Sequence, residues 1–141
     1  MAKRILIADD HESVLRRVRA MLESLPGCEV CGDAVTGRDA IAKAAKLKPD
    51  LVILDFAMPQ LDGLKAASAI KALLPDVPIV MFTMYSSALA QEFENYGIAR
   101  LVDKAKSATL VAAVQELLGN ERQPSTVEPS SGPPTPVPLP S

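Results

Sequence analysis

Short apolar segments alternate with longer segments of helical periodicity along most of this chain, and this alternation limits the possible folds more than any other feature. Five segments have the length and composition of strands: residues 4–8, 29–34, 51–55, 79–83 and 100–103. Four of them are short apolar runs, which is typical of strands that are covered on both faces. The pattern therefore favours a sheet buried between two layers.

The intervening segments repeat apolar residues at the spacing of one helical face. A weaker fourth pattern, made by Leu89, Phe93 and Tyr96, predicts a helix that Gly97 closes. A strand followed by a helix, repeated five times, predicts an α/β fold with a parallel sheet and right-handed crossovers. In such sheets the carboxyl ends of the strands lie on one rim, where ligands bind.

The composition changes after Gly119, where Pro and Ser become frequent and large apolar residues become rare. We predict one domain over residues 1–119 and a disordered tail or linker over residues 120–141. The tail has too few apolar side chains to offset the entropy cost of ordering it. A Pro-rich docking ligand is the alternative interpretation of this segment.

Charge and hydropathy argue against two classes of partner. The net charge is −2, so a nucleic-acid-binding surface is not expected. No apolar run reaches the roughly 20 residues of a membrane span, and the N-terminus lacks the apolar stretch of a signal peptide. We therefore expect a cytoplasmic protein. Cys28 and Cys31 then need not form a disulfide, and on a strand they point to opposite faces.

Charged and polar residues follow the predicted strands. Asp9 and Asp10 come after the first, Asp55 and Thr83 end the third and fourth, and Lys104 follows the fifth. On one rim, three carboxylates would repel each other unless a cation joined them, and oxygen ligands suit Mg²⁺. The amine and hydroxyl suit phosphoryl oxygens. A carboxylate can also accept a phosphoryl group, and Asp55 is the candidate because its strand is central.

Each of these residues also has an ordinary structural interpretation. Asp9 and Asp10 could cap the helix that begins near Glu12. Lys104 alone could be a surface lysine, and His11 fits a surface or capping role beside the acidic rim. It is the combination at matching strand ends that favours the metal site.

The joint set of motifs resembles the receiver domain of two-component response regulators. It comprises the acidic pair, the pattern Asp-x-x-Met-Pro-x-x-Asp-Gly over residues 55–63, Thr83, and Lys104. The resemblance extends from Lys3 to about Leu118. It implies a doubly wound (βα)5, flavodoxin-like sheet with strand order 2-1-3-4-5.

The resemblance also implies roles for individual residues. Asp55 would be phosphorylated by a histidine kinase, and Asp10 and Asp55 would ligate Mg²⁺ through their side chains. Asp9 would hold a metal-bound water, and the main-chain carbonyl of Ala57 would complete the protein ligands. Thr83 and Lys104 would contact the phosphoryl group, which completes the predicted site.

The output expected from the resemblance is a population shift rather than enzymatic turnover. Phosphorylation would change a face made by helix 4, strand 5 and helix 5, which would bind a partner or a second copy of the chain. Two residues depart from the family pattern. Leu101 replaces a frequent aromatic switch residue, and Met84 replaces a small residue that would leave more room at the phosphoryl group.

Three other functions are alternatives to this one. The chain could be the receiver fragment of a DNA-binding transcriptional regulator, although nothing after Lys104 predicts a helix-turn-helix. A Mg²⁺-dependent phosphohydrolase would need a second Asp two residues after Asp55, where Ala57 stands. A dinucleotide-binding fold would need a glycine-rich loop after the first strand, and none follows.

Overall fold

The computed structural model describes residues 2–122, without the side chains of residues 120–122. Its elements in chain order are β1 Lys3–Ala8, α1 Glu12–Glu23, β2 Cys28–Ala34, α2 Gly37–Leu47, β3 Leu51–Leu54, α3 Gly63–Leu73, β4 Ile79–Thr83, α4 Ser86–Leu89, a 3-10 turn at Phe93–Tyr96, β5 Arg100–Asp103, and α5 Ser107–Arg122. The predicted alternation of strands and helices is confirmed.

The five strands form one parallel sheet in the order β2-β1-β3-β4-β5. Two apolar clusters cover its faces. One cluster joins the sheet to α1 and α5, and the other joins it to α2, α3 and α4. Every residue of β3 and β4 is buried, which explains why these strands read as unbroken apolar runs rather than as alternating ones. The flavodoxin-like α/β class is therefore confirmed.

The fourth helix differs from its prediction. A single helix through Leu89, Phe93 and Tyr96 is wrong, because α4 ends at Leu89 and a separate 3-10 turn carries the other two residues. The amide nitrogens of Glu92 and Asn95 donate to carbonyl oxygens three residues earlier, at 3.1 and 3.0 Å. This tighter winding still lets all three apolar side chains pack against the core.

Smaller differences concern where elements begin and end. The second strand begins at Cys28 and the third ends at Leu54, so Asp55 lies just outside its strand. Helix α5 continues to Arg122, past the boundary predicted at residue 119. The rest of the predicted tail, residues 123–141, lies outside the described residues. The division into domain and tail stays a prediction.

The two cysteines lie on opposite faces of the sheet, as predicted. Cys28 packs with the cluster of α1 and α5, and Cys31 packs with the other cluster. A register shift between β1 and β2 falls at Cys31, because Ile5 pairs with Val30 and Leu6 pairs with Gly32. Burial raises the pKa of the Cys31 thiol, which makes it a poorer nucleophile and metal ligand. A joint zinc or redox site is therefore excluded by geometry.

None of the helices within residues 2–122 has both the length and the apolar character needed to cross a bilayer.

Gly63 holds the loop after β3 against the start of α3, which leads to a stability prediction. A Cβ at Gly63 would lie 2.2 Å from the carbonyl oxygen of Asp55 and 2.8 Å from Cα of Phe56. Backbone atoms cannot move aside cheaply, so we expect Gly63→Ala to lower the free energy of unfolding by about 1–3 kcal/mol. Equilibrium urea unfolding measures this change.

Gly119→Ala is the matched control, because a Cβ at Gly119 meets nothing within 4 Å. Gly119 lies within α5, where Ala should stabilise the helix by about 0.5–1 kcal/mol. A Gly63→Ala protein as stable as the wild type would contradict the close approach at this loop.

Candidate functional site

Main-chain hydrogen bonds extend the parallel ladder past the strand ends and place the acidic residues on one rim. The amide of Asp9 donates to the carbonyl of Ala34, and the amide of Asp55 donates to the carbonyl of Ala8, both at 3.0 Å. Asp9 and Asp55 are only 4% and 3% exposed. The two carboxylates thus lie at the rim but are buried from water, where an isolated charge costs free energy.

Lys104 lies between these two carboxylates. Its Nζ is 2.5 Å from Oδ2 of Asp9 and 3.0 Å from Oδ2 of Asp55. All three side chains are at most 7% exposed. The main-chain amide of Lys104 donates to the carbonyl of Thr83 at 3.0 Å, which fixes where the side chain begins. One ammonium therefore contacts two buried carboxylates and offsets one of their two negative charges.

The pKa of Lys104 reports the balance of these effects. Burial alone would lower the pKa, because it penalises the charged ammonium. Hydrogen bonds to Asp9 and Asp55, together with the negative charges of these carboxylates, act in the opposite direction and outweigh burial, so the pKa of Lys104 is raised. Lys104 is therefore charged throughout the physiological range.

The second oxygen of each carboxylate has a different environment. Oδ1 of Asp55 is buried and has no hydrogen-bond partner among the described residues. Oδ1 of Asp9 accepts the amide of His11 at 2.9 Å. An unpaired buried carboxylate oxygen costs free energy, and a bound cation would remove that cost. The acidic side chains thus fit a hard divalent cation such as Mg²⁺.

One donor atom each from Asp9, Asp10, His11 and Asp55 lies within 4.8 Å of the others. From its position in the sequence, His11 is predicted to be a surface or capping residue. His11 is at the N-cap position of α1, but its side chain makes no capping hydrogen bond. Its Nδ1 instead lies 3.1 Å from Oδ1 of both Asp9 and Asp10. The position next to the acidic pair was the only sequence signal for this contact.

Thr83 and the residues after it form the next part of the rim. Thr83 is fully buried, and its Oγ1 accepts the amide of Tyr85 at 3.2 Å. The hydroxyl of Ser86 donates to Oδ2 of Asp103 at 3.0 Å. Hydrogen bonds from the amide of Ala105 and from Ser86 hold the pKa of Asp103 below its usual value. These contacts connect the loop after β4 to the end of β5.

A pair of aromatic rings connects the loops after β3 and β4. The rings of Phe56 and Tyr85 meet edge to face, with centroids 5.8 Å apart. Met84 is 69% exposed, so it does not fill the interior beside Thr83. Ala57 is exposed in the loop after β3. Its predicted role as a carbonyl ligand stays a prediction.

Comparison with known proteins identifies the family to which this fold belongs. The model of the response regulator receiver domain matches residues 5–115. This chain belongs to that family. In the family, an acidic cluster such as that of Asp9, Asp10 and Asp55 is typical of the Mg²⁺ site, and a histidine kinase is the usual partner. The receiver-domain resemblance inferred from the sequence is thus confirmed.

Individual relatives agree with the family match. The chain is 41% identical over 85 residues to the response regulator protein VraR of Staphylococcus epidermidis, covering 60% of this chain and 41% of that protein. A LuxR-family two-component response regulator from Aurantimonas superposes with a TM-score of 0.79 at 30% identity, covering 85% of this chain and 87% of that one.

A third relative was solved with a phosphomimetic. The isolated receiver domain of RcsB from Salmonella enterica serovar Typhimurium, in the presence of BeF3⁻, superposes with a TM-score of 0.72 at 27% identity. The match covers 82% of this chain and 90% of that one. This chain spans about two fifths of the length of the VraR relative, so the activity of whole relatives does not carry over directly.

The geometry of Lys104 leads to a prediction about stability and pH. Lys104→Met leaves the buried carboxylates of Asp9 and Asp55 without their ammonium partner. We expect the free energy of unfolding, measured in urea with EDTA, to fall by about 3 kcal/mol. Because the folded-state pKa of Lys104 is raised, this loss is complete below its ordinary value of 10.5 and shrinks as pH rises through the folded-state value.

Lys106→Met is the control, because the Lys106 side chain is exposed. Its effect should stay within about 0.5 kcal/mol. Equal losses in the two variants would contradict a special role for the Lys104 contacts.

Proposed function

We propose that this receiver domain accepts a phosphoryl group on Asp55 from a histidine kinase, in a Mg²⁺-dependent reaction, and acts as a signalling switch. The observation that carries the proposal is the unpaired Oδ1 of buried Asp55, next to a lysine that already holds Oδ2. That oxygen is a nucleophile without a competing hydrogen bond.

The transfer can be written with its atoms and charges balanced. Oδ1 of Asp55 attacks the phosphorus of a phosphohistidine on the kinase, and an O–P bond forms as the N–P bond breaks. The electron pair of the broken bond stays on the imidazole nitrogen, which takes a proton from solvent water. The kinase is released with neutral histidine, and Asp55 carries an acyl phosphate. The receiver supplies the acceptor and the positioning, and it is not proposed to be an enzyme with turnover of its own.

The residues around Asp55 would compensate for the charge of the phosphoryl group. Mg²⁺ would be held by Asp10, Asp55 and the carbonyl of Ala57, with Asp9 holding a water, and it would neutralise charge on the transferred oxygens. Lys104 already contacts Oδ2 of Asp55 at 3.0 Å. It could reach a phosphoryl oxygen with a small movement, giving up part of its contact with Asp9.

Thr83 would transmit the change to the loops. Its hydroxyl oxygen accepts a hydrogen bond from the amide of Tyr85, and it can instead turn to donate to a phosphoryl oxygen. The amide of Tyr85 would then lose its hydrogen bond to Thr83. A movement of Tyr85 would also affect Phe56, the neighbour of Asp55, because the two rings pack against each other. Ser86 is next to Tyr85 in the chain and would move with it, which would alter the hydrogen bond from Ser86 to Asp103. The result is a population shift of α4, β5 and α5.

The face that changes would bind an output partner or a second copy of the chain. Ser86, Leu101, Asp103 and Lys106 border one shallow depression on this face, so the loop contacts reach the surface that a partner would touch. A cytoplasmic location agrees with a kinase that draws phosphate from ATP. The proposal does not include nucleic-acid or membrane binding by this chain.

A second candidate function is the receiver part of a DNA-binding transcriptional regulator. The VraR relative is more than twice as long as the matched region, so a receiver of this type can be joined to an effector. The phosphorylation step would be the same, and the partner face would act on that effector. A test of the full-length gene product for sequence-specific DNA binding, with and without phosphodonor, distinguishes the two functions. DNA binding that depends on the phosphodonor would favour the transcriptional regulator.

The first test is labelling of Asp55. In the presence of a small phosphodonor and Mg²⁺, intact-mass measurement should find one added phosphoryl group on the wild type and none on Asp55→Asn. EDTA should abolish the labelling. Asp76→Asn is the matched control, since Asp76 is an exposed carboxylate in the turn before β4, at the opposite end of that strand from the rim. Equal labelling of wild type and Asp55→Asn would refute the assignment.

A second test separates accepting phosphate from switching. Thr83→Val removes the hydroxyl and keeps a β-branched side chain in the buried position. We expect the variant to be labelled like the wild type, because the nucleophile and Lys104 are intact. Hydrogen–deuterium exchange over residues 84–92 should change on labelling in the wild type and change less in the variant. The same exchange response in both proteins would contradict the role of Thr83.

A further inference from the structure

A histidine lies beside the acidic cluster, and its ring chemistry differs from that of the carboxylates. Nδ1 of His11 lies 3.1 Å from Oδ1 of Asp9 and 3.1 Å from Oδ1 of Asp10. The His11 side chain is 63% exposed. Little packing therefore holds the ring, and the acidic groups themselves are what it contacts. Its side chain makes no capping hydrogen bond, and Nδ1 is instead within hydrogen-bond distance of Oδ1 of Asp9.

The distances agree with donors arranged around one ion. In octahedral coordination with bonds of about 2.1 Å, adjacent ligand atoms lie about 3.0 Å apart and opposite ones about 4.2 Å apart. The contacts of His11 with the two carboxylates, at 3.1 Å, have the spacing of adjacent ligands. One donor atom from each of the four residues of the cluster lies within 4.8 Å of the other three. A small adjustment would bring each of them onto a common ion.

A separate observation indicates that the cluster faces a ligand. Oδ1 of Asp55 is buried and has no hydrogen-bond partner within the described part of the chain. Its other oxygen is held by Lys104, so the unpaired atom is the one open to a ligand, whether a cation or the phosphoryl group that it is proposed to accept. The position of His11 and the unpaired oxygen of Asp55 are independent facts, since the two residues lie on different loops.

We propose that the imidazole of His11 is a direct nitrogen ligand of the ion in this cluster, so that the site favours first-row transition divalent ions over Mg²⁺. The proposal rests on the proposed Mg²⁺ site at Asp55 and extends it to a different class of metal. Mg²⁺ prefers oxygen ligands, whereas imidazole suits nickel, cobalt and zinc. Replacing a water by an imidazole therefore gains most for those ions.

The test compares Ni²⁺ and Mg²⁺ binding by calorimetry on the untagged chain. Even outer contacts of a metal site are worth about tenfold in affinity. We therefore expect His11→Asn to raise the dissociation constant of Ni²⁺ at least about tenfold more than that of Mg²⁺. Glu12→Gln is the control, because it removes an exposed charge next to His11. It should change the two constants by the same small factor.

A second readout identifies the ligand atom. The chain has a single histidine, so the imidazole nitrogen resonances in an NMR spectrum belong to His11 alone. Adding Zn²⁺ should shift the Nδ1 resonance in the wild type and leave it unshifted in Asp10→Asn. Cys28 and Cys31 lie on opposite faces of the sheet, so they cannot chelate the ion together. An unshifted imidazole at saturating Zn²⁺ would overturn the proposal.

The outcomes also separate this proposal from the proposed function. If Asp55 is labelled with Mg²⁺ but His11→Asn weakens both ions by the same factor, the nitrogen ligand is refuted and the phosphoacceptor stands. If Ni²⁺ binds through His11 and Asp55 is never labelled, the phosphoacceptor is refuted and the nitrogen ligand stands. If neither ion binds the wild type, both proposals fail.

Discussion

The contact of Lys104 with two buried carboxylates is the interaction on which the rest of the rim depends. Parallel strands bring Asp9 and Asp55 to neighbouring positions, and the interior offers them little water. Without the ammonium group of Lys104, repulsion between the two carboxylates would destabilise the strand ends on which they lie. Lys104 offsets one charge and leaves an excess of negative charge, because Asp10 adds a third carboxylate nearby. The rim is thus stable enough to fold and still attractive to a cation.

Most of the architecture could be predicted because it follows from periodicity. Buried strands such as Leu51–Leu54 lack polar residues, and helices between them place every crossover on one face or the other. Parallel strands then place Asp9, Asp55 and Lys104 on one rim, whereas the strand order that brings β1 next to β3 was implied only by the family resemblance. The sequence could not show which type of helix forms after β4. Leu89, Phe93 and Tyr96 have spacings that suit both one long helix and a helix followed by a 3-10 turn.

The side chain of His11 could not be placed from the sequence for a different reason. An N-cap position restricts the backbone, but the direction of an exposed ring is set by its side-chain torsions and by whichever charges lie within reach. In this chain the nearest charges are the carboxylates of Asp9 and Asp10. Local pattern recognition assigns such a residue to the surface, and only the three-dimensional arrangement associates it with the site.

In the proposed switch, Leu101 stands where an aromatic residue is frequent in the family, and this replacement affects how a signal would leave the site. Leu101 packs partly into the core and carries no ring whose rotation would report on Thr83. The chain has another connection, because Phe56 follows the acceptor directly and meets Tyr85, which follows Thr83 by two residues. Ser86 and Asp103 extend that connection to β5. A movement of the loop after β4 therefore reaches the α4, β5 and α5 face through main-chain neighbours and two short contacts. Coupling in this receiver domain can thus run through the loops, without a rotating ring on β5.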